Sequence, residues 1–369
     1  MNVLVAVDSF KGSLSSIEAG NAVESGFLEA FPTWNVHVLP IADGGEGTAQ
    51  VVEFLGGQRI PAECQDIYGR PNLGYWMLWN DIGVVEAAKG SGFVDPAYQI
   101  QPGDATTSFG TGQLIHHAVS HPQVKQIVVA LGGSGSSDGG MGLLAALGGE
   151  FLDRHRQALS PMGTSLGHVA YAKIRPLAKP LVGLTDVSCP LTGPNGSVFV
   201  FGPQKGIPSD RLESMDADMM HYARVTQESG CTWDQYPGAG SAGGMGFGVL
   251  CLGGLLESGA ERIAQWVSLD HWIGWADCVI TGEGRLDSQT LQGKLVDMIT
   301  HRCRIKNKPV IAIVGSRTGR VESLYHRGMN LIYPMVPGPL SLEEAMTHAQ
   351  HYIKDAAMQI AFTLERCKF

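Results

Sequence analysis

Short unbroken apolar runs, each followed by a polar turn and then a longer mixed segment, organise both ends of this chain. Val3 to Val7 is a continuous β-branched and aliphatic run, the pattern of a strand buried on both faces of a parallel sheet. A turn over Asp8 to Gly12 follows, Ser13 or Ser15 can cap a helix running to about Phe31, and Val36 to Ile41 reads as the second strand of a βαβ unit. Asp43, Gly44, Gly45, Glu46 and Gly47 then open another helix. The same rhythm returns at Asp277 to Ile280, Pro309 to Val314 and Leu331 to Met335, each followed by a helix, the last spanning Ser341 to Arg366.

The middle of the chain reads differently. From Gln58 to Ala87 short extended pieces are separated by Tyr68-Gly69-Arg70-Pro71 and Asn80-Asp81, which predicts antiparallel hairpins. A helix over Thr106 to Ser120, a buried strand over Gln126 to Leu131 and a helix over Gly139 to Leu147 follow. Strands are expected at Leu181 to Asp186 and Val198 to Phe201, a long helix at Ser209 to Ser229, and an apolar helix introduced by Gly238 to Gly248. The change of strand pattern predicts two α/β domains: a discontinuous parallel-sheet domain, 1–57 with 265–369, and an inserted domain, 58–264, with a mixed sheet.

Composition narrows the class. The chain has 369 residues, 44% hydrophobic and 17% charged, enough to bury substantial cores. Its 49 glycines are nearly double the average share of about 7% and cluster in loops after apolar runs, marking backbone that something approaches closely. A formal net charge of -9 without a basic stripe excludes a nucleic acid or an anionic membrane as partner. Seven scattered cysteines without a CxxC pair, no basic leader before the first apolar run, and no apolar stretch of spanning length predict a reduced, cytoplasmic protein.

Charged turns supply the candidate chemistry. Asp8, Ser9 and Lys11 follow the first strand, Asp43 and Glu46 the second, and Glu283, Arg285 and Asp287 a third, so all should meet outside the carboxyl ends of one open parallel sheet, where ligands bind. Helix capping by Asp8, Ser9, Asp43 or Glu46 is the bland alternative, and an incidental salt bridge explains Arg285 equally simply; neither needs acids and cations gathered at one edge. In the inserted region GGSGSSDGG (Gly132 to Gly140, with Ser134, Gly135 and Asp138) and GAGSAGGMG (Gly238 to Gly246, with Gly240, Gly243 and Gly244) lead into helices and suit a phosphate, although neither is a Walker A sequence and close helix packing is the alternative. Lys205 in FGPQKG is a candidate to neutralise phosphate charge, and Asp186, after a buried strand, is a further candidate carboxylate whose alternative is an Asx turn. Phosphate cradles, lysines and carboxylates able to hold Mg2+ are the parts of a phosphoryl transfer.

VDSFKGS, ADGGEGT, GTGQLI, GGSGSSDGG, GPNGSVFVFGPQKG, PGAGSAGGMG and ITGEGRLDSQTLQGK, in this order, resemble the bacterial type 1 glycerate kinases across essentially the whole chain. The resemblance implies a flavodoxin-like domain with an inserted restriction-endonuclease-like domain, an active site in the cleft between them, and ATP- and Mg2+-dependent phosphorylation of D-glycerate to 2-phosphoglycerate in glycerate, glyoxylate and glucarate catabolism. It implies Lys11 and Arg285 as holders of the glycerate carboxylate or the transferred phosphoryl, with Ser9, Asp43 and Glu46 beside the substrate. Asp8, Asp186 or Asp287 would accept the proton or bind metal, with Glu283 and Asp287 as metal ligands, and the glycine loops with Ser134 and Lys205 would contact ATP. The chain departs from the family pattern at Ser137, where relatives commonly carry Asn, and at Ser188-Cys189, which replaces Thr-Asn before Pro190. Two other readings stay open at this level, a kinase for another small hydroxy acid and a nucleotide-binding regulator without turnover, as does assembly into a homo-oligomer.

Overall fold

A computed structural model of the chain describes residues 1–94, 99–227, 230–286, 295–318 and 321–367. The chain divides into two compact units, Met1–Asp43 with Ala260–Phe369, and Gly44–Gly259. The expected boundaries at 57/58 and 264/265 lie further along the chain than these. The segment between Asp43 and Gln58 packs with the inner unit, because its helix Thr48–Phe54 lies on the strands Pro71–Trp79 and Ile82–Glu86 and the Ala49 N–H donates to buried Glu86 (2.7 Å).

In the outer unit five strands lie in the order Leu331–Pro334, Val310–Arg317, Cys278–Leu286, Asn2–Val7, Asn35–Val38, all parallel. Both faces of the central pair are covered. Val3, Val5 and Val7 pack with Phe27, Ile353 and Ile360 on one side, while Leu4 and Ala6 are fully buried on the other, which is why the run carries no polar residue. The helix Ser16–Ala30 starts where Ser15 accepts from the Glu18 N–H and the Glu18 carboxylate accepts from the Ser15 N–H, a complete capping box. The single C-terminal helix expected from Ser341 is two helices, Leu342–Thr347 and Ala349–Cys367, broken at His348. The first of them has no buried residue and so gains nothing from continuing in register with the buried second.

The inner unit holds a six-stranded sheet ordered Leu255–Glu257, Leu181–Leu184, Gln126–Ala130, Ile82–Glu86, Pro71–Trp79, Gln58–Gln65. Its first four strands are parallel and the last three are joined antiparallel, so the hairpin reading of the 58–87 region matches the pairing. Trp76, Leu114, Ile127, Tyr222 and Phe247 are fully buried in its core. The stretch expected as a strand at Val198 to Phe201 is instead the short helix Ser197–Phe201. Val198 is buried there and Val200 is 48% exposed; Gly202 and Pro203 end the turn before a strand partner can be met.

Candidate active site

The carboxyl end of the outer sheet gathers the charges. The Asp8 N–H donates to Gly282 O (2.9 Å), so the turn after the first strand is tied to the strand expected to end near Ile280. That strand continues to Leu286, pairing Glu283 with Val314 and Arg285 with Ser316. Glu283 and Arg285 therefore stand on a strand extension rather than in a turn, a correction to the reading of that motif. The reason is the intervening glycines: a Cβ at Gly315 would meet Gly284 O at 2.4 Å, so only bare backbone lets the two strands run on together. Being two residues apart, Glu283 and Arg285 share one face, while Gly284 faces the Phe10–Lys11 backbone. Asp287 lies outside the described residues.

Asp8 is buried at 8% exposure, and its Oδ1 accepts from the Ser9 N–H (2.7 Å). Burial, with repulsion from Asp43 and then Glu283, pushes its carboxyl from 3.8 up to about 8, against the Ser9 hydrogen bond and the Lys11 charge. The Lys11 Nζ lies 3.7 Å from Asp43 Oδ2 and is well exposed. Asp8, Ser9, Lys11, Asp43, Glu283 and Arg285 thus belong to one sheet edge, whereas Glu46, expected beside them, falls in the inner unit.

The glycine loops are placed differently from simple open cradles. The two loops close on each other: the Gly139 N–H donates to Gly243 O (2.9 Å), and a Cβ at Gly243, where φ is +70°, would stand 1.9 Å from Ser136 O. A Cβ at Gly244 would meet Gly139 Cα at 2.4 Å and one at Gly240 would meet Pro190 O at 2.2 Å. Asp138 is fully buried, its carboxylate accepting from the Ser108 N–H and Oγ and from the Gly140 and Gly142 N–H groups. Lys205 is 4% exposed and donates Nζ to Ser136 O (2.7 Å); burial pulls its ammonium down to about 8, against the attraction of Asp138 and Cys189. Ser134 exchanges a hydrogen bond with the Ser136 hydroxyl (3.0 Å), and the Gly135 N–H donates to Ser91 O (2.9 Å). Asp186 Oδ1 accepts from Ser258 Oγ (2.8 Å) and the Gly259 N–H (2.9 Å), bracing the start of the helix Gly259–Trp266.

Two residues that the motif reading passed over, Glu86 and Lys89, stand at and just after a strand end of this unit. Glu86 ends the Ile82–Glu86 strand, buried, with Lys89 3.4 Å away, and burial raises its carboxyl. Glu46, expected at the outer sheet edge, is instead exposed beside Gly133 in this unit, because its segment packs with the inner strands. A buried acid at the end of VVE, followed by a lysine three residues on, is the signal that could have found the pair.

Among the described residues no helix is long and apolar enough to cross a membrane, and no group of three or more His, Cys, Asp and Glu side chains could hold a metal ion by itself. A family model described as the glycerate kinase family matches residues 3–365. Glycerate kinase from Bacillus subtilis (strain 168) is 36% identical over 379 residues, covering 100% of this chain and 99% of that one. Glycerate 2-kinase from Escherichia coli (strain K12) is 35% identical, covering 99% and 98%. The crystal structure described as a glycerate kinase 2 from Salmonella typhimurium LT2 superposes with a TM-score of 0.82 at 34% identity, covering 100% of this chain and 99% of that one.

Proposed function

This chain belongs to the glycerate kinase family, and on that premise we propose that it transfers the γ-phosphoryl of ATP to the 2-hydroxyl of D-glycerate, releasing ADP and 2-phosphoglycerate. The observation that carries the reading is Asp8, a buried carboxyl held near neutrality between two other acids at a sheet edge that also presents Lys11 and Arg285. A general base is most effective when its proton affinity lies near the working pH. Asp8 meets that condition, whereas Asp186 is engaged with Ser258 and Gly259.

The reaction then balances simply. The substrate hydroxyl oxygen bonds to the γ-phosphorus, the bond to the β–γ bridging oxygen breaks, the electron pair leaves with ADP, and the hydroxyl proton passes to Asp8. Arg285, with a planar fork suited to a carboxylate, and Lys11 hold the acid end of D-glycerate. Ser9 and Asp43 complete that side of the site. Asp43 and Glu283, near enough to Asp8 to raise its carboxyl, are hard oxygen donors of the kind Mg2+ takes, and they would hold the ion with water and phosphate completing its shell while Asp8 serves as the base. When bound, that ion neutralises charge on the phosphates. The glycine loop containing Ser134 and Gly135, braced from within by Asp138, Lys205, Gly240, Gly243 and Gly244, receives the nucleotide.

The test is incubation with ATP, Mg2+ and D-glycerate, with the product identified by phosphorus and proton NMR. Formation of 2-phosphoglycerate with stoichiometric ADP is expected. No D-glycerate-dependent ADP release would overturn the reading, and 3-phosphoglycerate would move the acceptor to the other hydroxyl.

A further inference from the structure

Of the nine residues from Gly132 to Gly140 only Gly132 and Gly133 are exposed, so this tip is where the loop can be approached. The segment after the Ile82–Glu86 strand is laced to it. The Phe93 N–H donates to Gly133 O (2.9 Å), the Gly135 N–H to Ser91 O (2.9 Å), and Gly92 bridges to Ser134. A Cβ at Gly133 would stand 3.2 Å from Ala88 Cβ and 3.7 Å from Glu46 Cβ, and the Glu46 charge acts on the neighbouring Lys89, so the ammonium lies within electrostatic reach of the tip. The Lys89 side chain is 28% exposed, its Nζ 3.4 Å from Glu86 Oε2 and 5.5 Å from the Tyr75 ring centroid. Glu86 is itself immobilised: it is 2% exposed, and its Oε1 accepts from the Ala49 N–H.

We propose that Lys89 binds the phosphate chain of the metal–nucleotide substrate at the Gly132–Gly133 tip, with Glu86 as the positioning residue that holds the ammonium there. An ammonium has three donors, and at 3.4 Å the Glu86 contact is longer than a charge-assisted hydrogen bond of about 2.7–2.9 Å, so Lys89 has capacity for a polyanion. The two exposed glycines let phosphate oxygens come close to the backbone. Lys205 serves the opposite side of the same loop, its ammonium engaged by the Ser136 carbonyl in the interior. Glu46 lines the other wall, its Oε2 4.0 Å from a Cβ at Gly133, which suits a phosphate chain carrying a divalent cation better than a bare anion.

This assignment rests on the phosphoryl-transfer reading, and its test separates the two. MgATP and adenosine binding are measured by calorimetry on the full chain and on Lys89→Met, Lys89→Arg and Glu86→Gln, together with kcat and the KM of each substrate. Lys89→Met should weaken MgATP binding by about 10- to 100-fold, the worth of a charged hydrogen bond. Adenosine affinity and the KM for D-glycerate should not change. Lys89→Arg should recover part of the loss, and Glu86→Gln should show a smaller loss in the same direction. Unchanged MgATP affinity in an active Lys89→Met protein overturns the assignment, as does an equal fall for MgATP and adenosine, which would mark a purely structural lysine. Should Lys89→Met fail to fold, Lys89→Gln with the same readouts decides. A wild-type protein that binds no nucleotide would sink the parent reading and this one with it.

Discussion

Replacing Asp8 by Asn keeps the shape of the side chain and an oxygen to accept from the Ser9 N–H, while removing the charge that burial, Asp43 and Glu283 oppose. The carboxyl is raised from 3.8 to about 8 in the folded chain, so below pH 3.8 both folded and unfolded states hold the proton and Asp8 costs nothing. Between those values the unfolded chain releases its proton and the folded chain keeps it, so stability falls as pH rises. Above pH 8 the whole penalty is present, about 5–6 kcal/mol. Asp8→Asn should therefore match wild type in urea unfolding near pH 3.5 and become several kcal/mol more stable by pH 9, while kcat falls by about 10²- to 10⁴-fold through loss of the proton acceptor. Urea midpoints followed by circular dichroism at four or five pH values, with the slopes compared, provide the measurement. A variant whose stability follows pH as wild type does, or one with near-normal turnover, would refute the reasoning.

Three further outcomes are expected. Gly243→Ala must place a Cβ against Ser136 O at positive φ, so it should destabilise the chain by more than about 2 kcal/mol in thermal unfolding and weaken ATP binding through displacement of the loop. Arg285→Lys exchanges a planar fork for a point charge and should raise the KM for D-glycerate about tenfold in steady-state kinetics, with the KM for ATP little changed. Ser15→Ala removes the hydroxyl that accepts from the Glu18 N–H, leaving the backbone half of the capping box, and should cost about 1 kcal/mol in denaturant unfolding with kcat/KM preserved.

The parallel sheet of the outer unit was legible because its central strands are buried on both faces, and two-sided burial leaves an uninterrupted apolar run. Ser13 and Ser15 both offered a cap for the first helix, and packing chose Ser15, with Glu18 closing the box. The Val198 to Phe201 stretch misled because a four-residue apolar run has no period long enough to tell strand from helix, and Gly202 with Pro203 decided it by stopping the chain. Glu283 and Arg285 resembled a turn because glycines flank them; strand pairing with Val314 and Ser316, distant in sequence, drew them into the sheet.

By itself the sequence determined the class of each unit, the family, and the sheet edge on which Asp8, Lys11, Asp43, Glu283 and Arg285 would meet, since strand order along a parallel sheet carries every following loop to the same side. Only the tertiary structure decided how each group is surrounded there. Burial raised Asp8 and turned Asp138 and Lys205 inward, long-range contacts closed the glycine loops on one another, and a strand end set Lys89 beside the exposed glycines. Desolvation and packing depend on what surrounds a side chain in space, and no local run of residues encodes that.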